Sequence, residues 1–533
     1  MEADCIPLDE TGYFSKIIVD YLSESIDLKE FYELYPTQEN FKRAIDKKVL
    51  SESNRAVLAD RLIHQYKNDE VKLDQAGEVL SNINLLRQND SYTITTGHQL
   101  CLFTGPLYFI YKIVSTVKLC DNLKQANPNF NFIPVYWMAT EDHDFAEVNH
   151  FNVEDKRFDW QTKQKGAVGR MELSEMEAVL AEFDQWLTDY STNAEELSKL
   201  FSTAYKSHKS LAAATRYLVN ELFGMHGVVI LDGDDQQLKK LFSPILRKEL
   251  LDEFSAKEVD IQNKKLAEQY KIQVNPREMN LFYLTDNIRE RIVKENGSYY
   301  VNGTSLSFSE EEILLELDKH PERFSPNVIL RPVYQEAILP NLAYIGGGGE
   351  LAYWFQLKTT FQEVNIQMPV LILRNSVAWL SEKQSKVFDE LGISNQQLFL
   401  EPGVLMKEWV VANSNHNLEL TKEKANQLEF FKDLSSLASV VDKSLVDHVR
   451  AHSVKHQKQL DKLSEKFIRS ERRKAKTAQQ RIFYLKDTLF YKNSLQERRL
   501  NFSQIYLSHG KGMIDILLNN FETPTSDFLI IRD

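Results

Sequence analysis

Short segments that are apolar on both faces constrain the fold of this chain more than any other feature of its sequence. Residues 132–139, Phe-Ile-Pro-Val-Tyr-Trp-Met-Ala, have this character, and residues 227–232 and 369–374 share it. Strands buried on both sides occur where helices cover both faces of a parallel sheet. Residues 91–96 read as a further strand rich in β-branched residues, and residues 107–123 follow with helical apolar spacing. The pattern predicts an α/β fold with a doubly wound parallel sheet.

Length, charge and cysteine content narrow the class of protein. The 533 residues exceed the roughly 250–300 at which one hydrophobic core stops growing, so we expect more than one structural unit. Asp and Glu outnumber Lys and Arg by 77 to 64, and the net charge of −13 disfavours nucleic acid as a partner. Cys5, Cys101 and Cys120 form neither a disulfide framework nor a CxxC site. Without a signal peptide or an apolar run of about 18 residues, we expect a cytoplasmic protein with no membrane partner.

Three further regions are predicted around the sheet. Residues up to about 88 and residues 171–214 have helical patterns, whereas residues 281–308 read as short strands with Asn-Gly turns. From about Leu418 to Phe502 the chain has no Pro or Gly, and apolar residues recur every three or four positions. This spacing predicts a long antiparallel helical hairpin.

The loop between the first strand and its helix contains a candidate anion site. Gly105 permits a tight turn, and Pro106 suits the first position of a helix. Free N–H groups and the helix dipole at that position can hold an anion, and Lys112 would add a positive charge. An ordinary helix cap explains the pattern equally well, since it is neither GxGxxG nor a Walker P-loop. The candidate nucleotide- or anion-binding residues are Gly97, His98, Gln99, Thr104, Gly105, Tyr108 and Lys112.

The strand at residues 132–139 runs into a second candidate site. The residues that follow it are Glu141, Asp142, His143 and Asp144. They would lie at the carboxyl edge of the sheet, where α/β proteins bind ligands. Three acids beside a histidine can hold an ammonium group or Mg²⁺, or transfer a proton, so these four are the candidate catalytic residues. A helix N-terminus stabilised by acids is the alternative, and zinc is disfavoured because no spacing here matches a zinc site.

A third constellation combines charged and aromatic residues with four successive glycines. Gly346 to Gly349 let the backbone approach a ligand closely, and Glu350 then opens an amphipathic helix. A mobile hinge is the alternative, although the flanking charges exceed what a linker needs. The polar end of the strand at residues 369–374 is explained nearly as well by a plain turn. The candidate substrate-binding residues are Asn149, His150, Arg331, Gln335, Glu336, Glu350, Tyr353, Trp354, Arg374, Asn375 and Ser376.

Five sequence runs form an ordered set that spreads over nearly the whole chain. They are Thr96-Gly-His-Gln with Thr104-Gly-Pro-Leu-Tyr108, Glu141-Asp-His-Asp-Phe145 with Asn149-His150, Arg331-Pro with Gln335-Glu336, Gly348-Gly-Glu-Leu-Ala-Tyr-Trp354, and Leu495-Gln-Glu-Arg498. Taken together, they resemble the BshC family, the cysteine-adding enzymes of bacillithiol biosynthesis. No single run is decisive, but five in the same order make coincidence a poor explanation.

The resemblance implies a Rossmann-like core related to class I aminoacyl-tRNA synthetases, with connecting-peptide-like insertions and a C-terminal coiled-coil extension. We therefore expect the chain to divide as follows. The first half contains a helical N-terminal part of the core (1–90), a βαβ half (91–160), a helical insertion (161–215) and a return to the core (216–260). The second half contains a small β-containing insertion (261–325), the second core half (326–415), the coiled-coil hairpin (416–505) and a C-terminal segment packing on the core (506–533).

The resemblance also implies a reaction, in which L-cysteine is joined to glucosaminyl malate through an amide bond. Because a carboxylate is a poor electrophile, ATP with Mg²⁺ would activate the cysteine carboxyl, although the HIGH and KMSKS motifs of the related synthetases are absent. His143 would be the general base, and Arg331 would bind the malate carboxylates. A homodimer through the helical extension is expected. Two alternatives stay open: a non-catalytic dimeric scaffold for the pathway and a sugar nucleotidyltransferase.

Overall fold

The structure, a computed structural model, describes residues 2–73, 77–188, 190 and 193–533. The chain divides into two compact units, as its length predicts. The larger unit comprises Tyr13–Val377 and Glu497–Phe528. The smaller unit comprises the chain start up to Gly12, Ala378–Gln496 and Leu529–Asp533.

A five-stranded parallel sheet forms the centre of the larger unit, as predicted. In spatial order its strands are Val370–Leu373, Asn341–Gly346, Ser91–His98, Asn131–Met138 and Val229–Asp232. Numbered along the chain and read from the opposite edge, this order is 3-2-1-4-5, the arrangement of a doubly wound Rossmann-like sheet. The order reverses between Ser91–His98 and Asn341–Gly346. Ligands of such sheets bind at that point, outside the carboxyl ends of the strands.

The strand Asn341–Gly346 is a central strand that the sequence pattern does not predict. It is buried throughout, yet it begins with a polar residue and runs into the glycines. The Asn341 side-chain oxygen accepts hydrogen bonds from the hydroxyls of Thr93 and Thr95, at 3.1 and 2.8 Å. A buried amide is tolerated when its hydrogen bonds are made. Because these partners stand 248 and 246 positions away, a local pattern cannot reveal the strand.

The helix that follows Ser91–His98 is buried over most of its surface. It spans Tyr108–Ala126, and twelve of its 19 residues are buried, Lys112 among them. The sequence pattern places Pro106 at its start, but the regular helix begins two residues later. The Leu107 N–H donates to the Leu500 carbonyl at 2.7 Å. The start of this helix is therefore covered by the returning chain.

The insertion at residues 281–308 forms the predicted short strands. Together with a later strand they build an antiparallel sheet in the order Ser307–Phe308, Ser298–Val301, Ile288–Glu295, Leu281–Thr285 and Phe324–Pro326. The turn between two of them has positive φ at Asn296 and Gly297, 50° and 80°, as a tight hairpin requires. A separate two-stranded sheet pairs His150–Val153 with Lys156–Asp159.

Helices supply the rest of the larger unit. They are Lys16–Leu22, Gln38–Lys47, Glu52–Asn68, Gly77–Leu85, Phe145–Val148, Glu177–Leu187, Ala194–Ser207, Leu211–Phe223, Gln236–Asp252, Phe254–Leu266, Glu310–Lys319, Leu330–Ile338, Gly348–Trp354, Lys358–Glu363, Ser503–His509 and Gly512–Asn520. Parts of the predicted helical regions, residues 1, 74–76, 189 and 191–192, lie outside the described residues.

The smaller unit is mainly helical and contains the predicted antiparallel hairpin. Thr421–Val441 packs against Leu445–Lys474, and Lys424 Nζ lies 2.8 Å from Asp461 Oδ1 between them. The predicted length, to Phe502, is wrong, because the helix breaks at Ala475 with ψ of 43°. The unit's other elements are the helices Lys476–Leu489, Glu382–Leu391, Asn395–Leu398 and Pro402–Ala412 and a sheet of Glu2–Pro7, Asp527–Arg532 and Ser376–Leu380. In the part of the chain that the structure describes, no helix combines the length and hydropathy of a membrane span.

Candidate active site

A cavity of about 870 Å³ opens in the larger unit at the carboxyl ends of the central strands. The lining residues fall into sets by their place in the chain. One set, here called the sheet wall, belongs to the central strands, their connections and the returning chain, and consists of Gly97, His98, Gln99, Tyr108, Lys112, Arg331, Gly347, Gly348, Gly349, Glu350, Tyr353, Arg374 and Arg498. A second set, here called the insertion wall, comes from the insertion and consists of Gln273, Asn275, Arg277, Met279, Phe282, Arg289 and Arg291. The lining is completed by Trp137, Met138, Ala139, Thr140, Glu141, Asp142, Pro326, Asn327 and Val328.

The cavity is strongly cationic, although the chain as a whole is acidic. Six arginines and one lysine line it, against three carboxylates. The whole chain has a net charge of −13. A cleft lined mainly by one sign of charge concentrates ligands of the opposite sign. This cavity is therefore built for anionic ligands.

Lys112 on the sheet wall already has a protein partner. Its ammonium lies 2.5 Å from Glu350 Oε2 and donates to the Gly97 carbonyl at 2.8 Å. Glu350 also accepts the Tyr344 hydroxyl and the Gly347 N–H, each at 2.8 Å. Burial alone would raise the pKa of Glu350, but Lys112 and these hydrogen bonds outweigh burial and hold that pKa below its usual value. The pair is a fixed part of the sheet wall.

The anion site predicted at the start of the helix Tyr108–Ala126 is wrong in its position. Thr104 and Gly105 do not line the cavity, and the Leu107 N–H is bonded to the Leu500 carbonyl. The Asn501 amide donates to the Gly105 carbonyl at 2.7 Å. The returning chain therefore occupies the place that the prediction assigned to a ligand. The predicted residues that do face the cavity are Gly97, His98, Gln99, Tyr108 and Lys112.

His98 faces the cavity as a neutral side chain. Its ring packs against those of Tyr108 and Phe109, with centroids 5.2 Å away in each case. Burial and the nearby Lys112 lower the pKa of His98 to about 3. Among the described residues its Nε2 atom has no hydrogen-bond partner. His98 can therefore offer a ligand a hydrogen bond but not a charge.

Of the predicted acidic tetrad, Glu141 and Asp142 line the cavity. Glu141 pairs with the buried Lys239, whose ammonium also donates to a carbonyl. Burial would raise the pKa of Asp142, but hydrogen bonding from Gln99, at 2.7 Å, and the charge of Arg289 lower it overall. Asp142 is therefore the ionised carboxylate that this strand end presents to a ligand.

His143 and Asp144 lie outside the lining of the cavity. The His143 side chain is about half exposed, at 48%, and its Nδ1 atom lies 2.7 Å from Arg289 Nη1. Arginine only donates, so Nδ1 must be the unprotonated acceptor. Burial and the charge of Arg289 lower the pKa of His143. The lone pair that a general base needs is thus engaged by Arg289, and the geometry does not favour the predicted role of His143.

Arg331 and Arg374, two of the predicted substrate-binding residues, both line the cavity. Arg331 donates to the Tyr353 hydroxyl at 2.7 Å. Arg374 is buried and donates to the Glu497 carboxylate, also at 2.7 Å. The first guanidinium group comes from a helix and the second from a strand end, and both contribute positive charge to the sheet wall.

Seven of the predicted substrate-binding residues do not line the cavity. Glu336 is buried and pairs with Lys48 at 3.3 Å, and the Trp354 ring stacks on that of Tyr344 with centroids 4.3 Å apart. Both point into the core, because an amphipathic helix presents only one face to a cleft. The seven residues are Asn149, His150, Gln335, Glu336, Trp354, Asn375 and Ser376.

Comparison with known proteins identifies the family. The model described as "Bacillithiol biosynthesis BshC, N-terminal Rossmann-like domain" matches residues 1–375, and the BshC C-terminal coiled-coil domain matches residues 377–532. The chain belongs to the BshC family. Proteins named "Putative cysteine ligase BshC" are similar over 100% of this chain: 47% identical in Flavobacterium psychrophilum over 100% of that protein, 45% in Flavobacterium johnsoniae over 100%, and 42% in Christiangramia forsetii over 99%.

Membership of the BshC family confirms the resemblance read from the five sequence runs. It also agrees with the Rossmann-like sheet and the C-terminal helical region of the structure. The names of the relatives give the enzyme class, so this BshC protein is a ligase of bacillithiol biosynthesis.

The insertion wall of this BshC protein is the part that sequence reasoning missed. None of its seven residues is among the predicted site residues, and Arg498 is named only within a matching run. One signal was available, since Arg289 and Arg291 alternate on the strand Ile288–Glu295 and so share one face. Two cations on one face of a short strand are a candidate anion surface.

Proposed function

We propose that this BshC protein joins L-cysteine to glucosaminyl malate through an amide bond, with ATP and Mg²⁺ as co-substrate. The single observation that carries the proposal is the cationic cavity at the reversal point of the sheet, in an otherwise acidic chain. All three reactants are anionic or carry carboxylates: the nucleotide triphosphate, the cysteine carboxyl and the malate dicarboxylate. Guanidinium groups match such oxygens with paired hydrogen bonds.

The sheet wall supports binding of the nucleotide. Gly347 and Gly348 have no side chain to keep a ligand from the backbone, and Arg374 and Arg498 are the neighbouring cations. The place is the reversal point at which doubly wound sheets bind nucleotides. ATP would supply activation of the cysteine carboxyl, and the residues would orient it. Asp142, as an ionised carboxylate, would hold Mg²⁺ or the ammonium group of an amino substrate.

A non-catalytic scaffold is less compatible with this cavity. Keeping cations together inside a cleft costs repulsion, and a ligand anion offsets that cost. The predicted homodimer stays a proposal beside the ligase function. Leu437, Val440 and Val441 near the hairpin turn are 60, 84 and 68% exposed, and such apolar clusters favour association. Light scattering of the double variant Val440→Ser/Val441→Ser tests it. A mass equal to that of the wild type would mean that this part of the hairpin does not contribute to the dimer interface.

The test of the ligase function is a reaction of the purified full chain with cysteine, glucosaminyl malate and ATP·Mg²⁺. Mass spectrometry should detect the amide and, in equal amount, either AMP with pyrophosphate or ADP with phosphate. Reactions that lack one component each are the controls. No amide with all three reactants would refute the proposal, and amide without any nucleotide would refute its ATP step. Formation of a nucleotide sugar would instead support the alternative of a sugar nucleotidyltransferase.

A further inference from the structure

The arginines of the cavity fall into two groups. Arg331 is held by the Tyr353 hydroxyl, Arg374 by Glu497 and Arg289 by His143, each at 2.7 Å. Three others form no ion pair and no side-chain hydrogen bond with any residue that the structure describes, namely Arg277, Arg291 and Arg498. These three are the cations that the fold leaves for a ligand.

Two of the three unpaired arginines belong to the insertion wall. On the strand Ile288–Glu295, Arg291 is the cross-strand partner of Phe282. Two positions earlier on the same face, Arg289 lies over the Phe282 ring, 4.1 Å from its centroid. Arg289 is held there by His143, whereas the Arg291 guanidinium is free to contact a ligand. Arg291 therefore extends from the same face of the sheet as Phe282 and Arg289.

The segment that carries Arg277 is held in place by a buried network. The Asn280 side chain accepts the Arg277 N–H at 3.2 Å and donates to the Arg277 carbonyl at 2.9 Å. The Asn280 N–H in turn donates to Glu249 Oε1 at 3.0 Å, and both of these residues are fully buried. The exposed Arg277 side chain thus stands on a fixed backbone. Hydrogen bonds therefore fix the backbone of the insertion wall at this position.

The two walls offer different chemical groups, so each wall suits a different reactant. The insertion wall offers polar side chains: two unpaired guanidinium groups and the amides of Gln273 and Asn275. A guanidinium grips a carboxylate through two parallel hydrogen bonds, and amides pair with hydroxyls. The sheet wall instead offers backbone next to Gly347, with Arg498 as its unpaired cation. Close backbone approach suits phosphate, and the side-chain surface suits a hydroxylated dicarboxylate.

We propose that Arg277 and Arg291 bind the two carboxylates of the acceptor on the insertion wall, and that Arg498 serves the nucleotide phosphates on the sheet wall. The acceptor is named on the strength of the proposed ligase function. The dicarboxylate site itself rests on the two unpaired arginines and their fixed supports. In a sequential reaction this separation keeps the acceptor and the nucleotide from competing for the same cations.

Calorimetry of the full chain tests the assignment with three probes: malate, glucosaminyl malate and ATP·Mg²⁺. Arg277→Gln and Arg291→Gln should each weaken binding of both dicarboxylates about 10- to 100-fold, the loss of one charge-assisted pair, and change ATP binding less than about threefold. Arg498→Gln should weaken binding of ATP·Mg²⁺ about 10- to 100-fold and change binding of both dicarboxylates less than about threefold. Arg43→Gln, an exposed arginine paired with Glu39, is the matched control and should change neither. Arg277→Lys should recover only part of the affinity, because an ammonium cannot pair with both oxygens in parallel.

The outcomes separate this inference from the ligase function. If the wild type forms the amide but the two insertion-wall variants bind both dicarboxylates as the wild type does, the assignment fails and the ligase function stands. If the two variants lose ATP binding instead, the walls are assigned the wrong way round. If the wild type forms no amide but binds malate and the two variants do not, the dicarboxylate site stands and the ligase function fails. Melting temperatures within about 2 °C of the wild type should show that the variants are folded, since neither guanidinium supports the fold.

Discussion

The two walls of the cavity balance their positive charges in different ways. On the sheet wall, Lys112 has its own acid in Glu350. On the insertion wall, Arg277 and Arg291 have no acidic partner among the described residues. A cation that is paired with an acid of the protein keeps its position whether or not a ligand is present. The charge of an unpaired cation is balanced only when an anionic ligand binds. The Lys112–Glu350 pair of the sheet wall is therefore complete before a ligand binds, whereas the charges of Arg277 and Arg291 on the insertion wall are balanced only by a bound anion.

Burial explains why the fold treats the two walls differently. The Lys112 side chain is only 3% exposed, and removing an ammonium from water costs several kcal/mol unless an anion compensates it. Arg277 is exposed and Arg291 is partly exposed, so water solvates both and folding requires no acid beside them. Their charge becomes costly only when a ligand displaces that water, and a ligand carboxylate then offsets the cost.

The largest effect is expected for Lys112→Ala, which removes the cation of the Lys112–Glu350 pair on the sheet wall. It leaves the Glu350 carboxylate, which is 24% exposed, without its cation, at a cost of about 3 kcal/mol in the free energy of unfolding. Urea denaturation followed by tryptophan fluorescence measures the loss. Lys118→Ala on the same helix is the control: that ammonium donates to the Leu518 carbonyl at 3.0 Å and should contribute about 1 kcal/mol. Equal losses in the two variants would contradict the distinction between the walls.

The next effect is expected for Asn280→Ala, which removes the support of the insertion wall. The buried amide makes hydrogen bonds to Arg277, to Ser255 and to Asn327, the last two at 2.8 Å. Their loss should lower the free energy of unfolding by about 2–3 kcal/mol and should also weaken acceptor binding, because Arg277 loses its fixed backbone. Asn89→Ala, at an exposed asparagine, should do neither. Acceptor affinity that survives the destabilisation would mean that Arg277 needs no fixed support.

A smaller effect, visible only with pH, is expected from His98 on the sheet wall. Its pKa is about 3 in the folded chain and about 6.5 when unfolded. Between these values only the unfolded chain binds the proton, so the free energy of unfolding rises with pH across that window. From pH 7.5 to pH 5 the wild type should lose about 2 kcal/mol that His98→Gln does not lose. Parallel pH curves for the two proteins would show that His98 is not held neutral.

The smallest effect is expected for His143→Gln, beside the insertion wall. If His143 only positions Arg289, the substitution should raise KM for the acceptor a few fold and lower kcat by less than about tenfold. A general base would instead contribute about 10²- to 10⁴-fold to kcat. Steady-state kinetics with the amide assay separates the two, and a loss of 10²-fold or more in kcat at unchanged KM would restore the predicted catalytic role. His320→Gln, at a histidine that contacts Glu322, is the control.

Four of the five central strands could be predicted, three from continuous apolar residues and Ser91–His98 from its β-branched and aromatic residues. The strand Asn341–Gly346 could not, since Asn341 becomes compatible with burial only through Thr93 and Thr95. The same holds for the site. The rule that ligands bind at the carboxyl ends of strands selected Gly97 and Asp142, and both line the cavity. It failed where the chain returns from far away, as at Leu500, which covers the predicted anion site.

Periodicity and the residues at strand ends were sufficient to infer the sheet, the helical hairpin and the edge where the ligand site lies, because each depends on neighbours within about 20 residues. Which cations are free to bind a ligand is a different kind of property. Arg374 and Glu497 stand 123 positions apart, and nothing near Arg374 in the sequence indicates that an acid holds it. Arg277 and Arg291 belong to an insertion that only folding brings to the cavity. Charge pairing acts through space, so the three-dimensional arrangement of the chain assigns these arginines their roles.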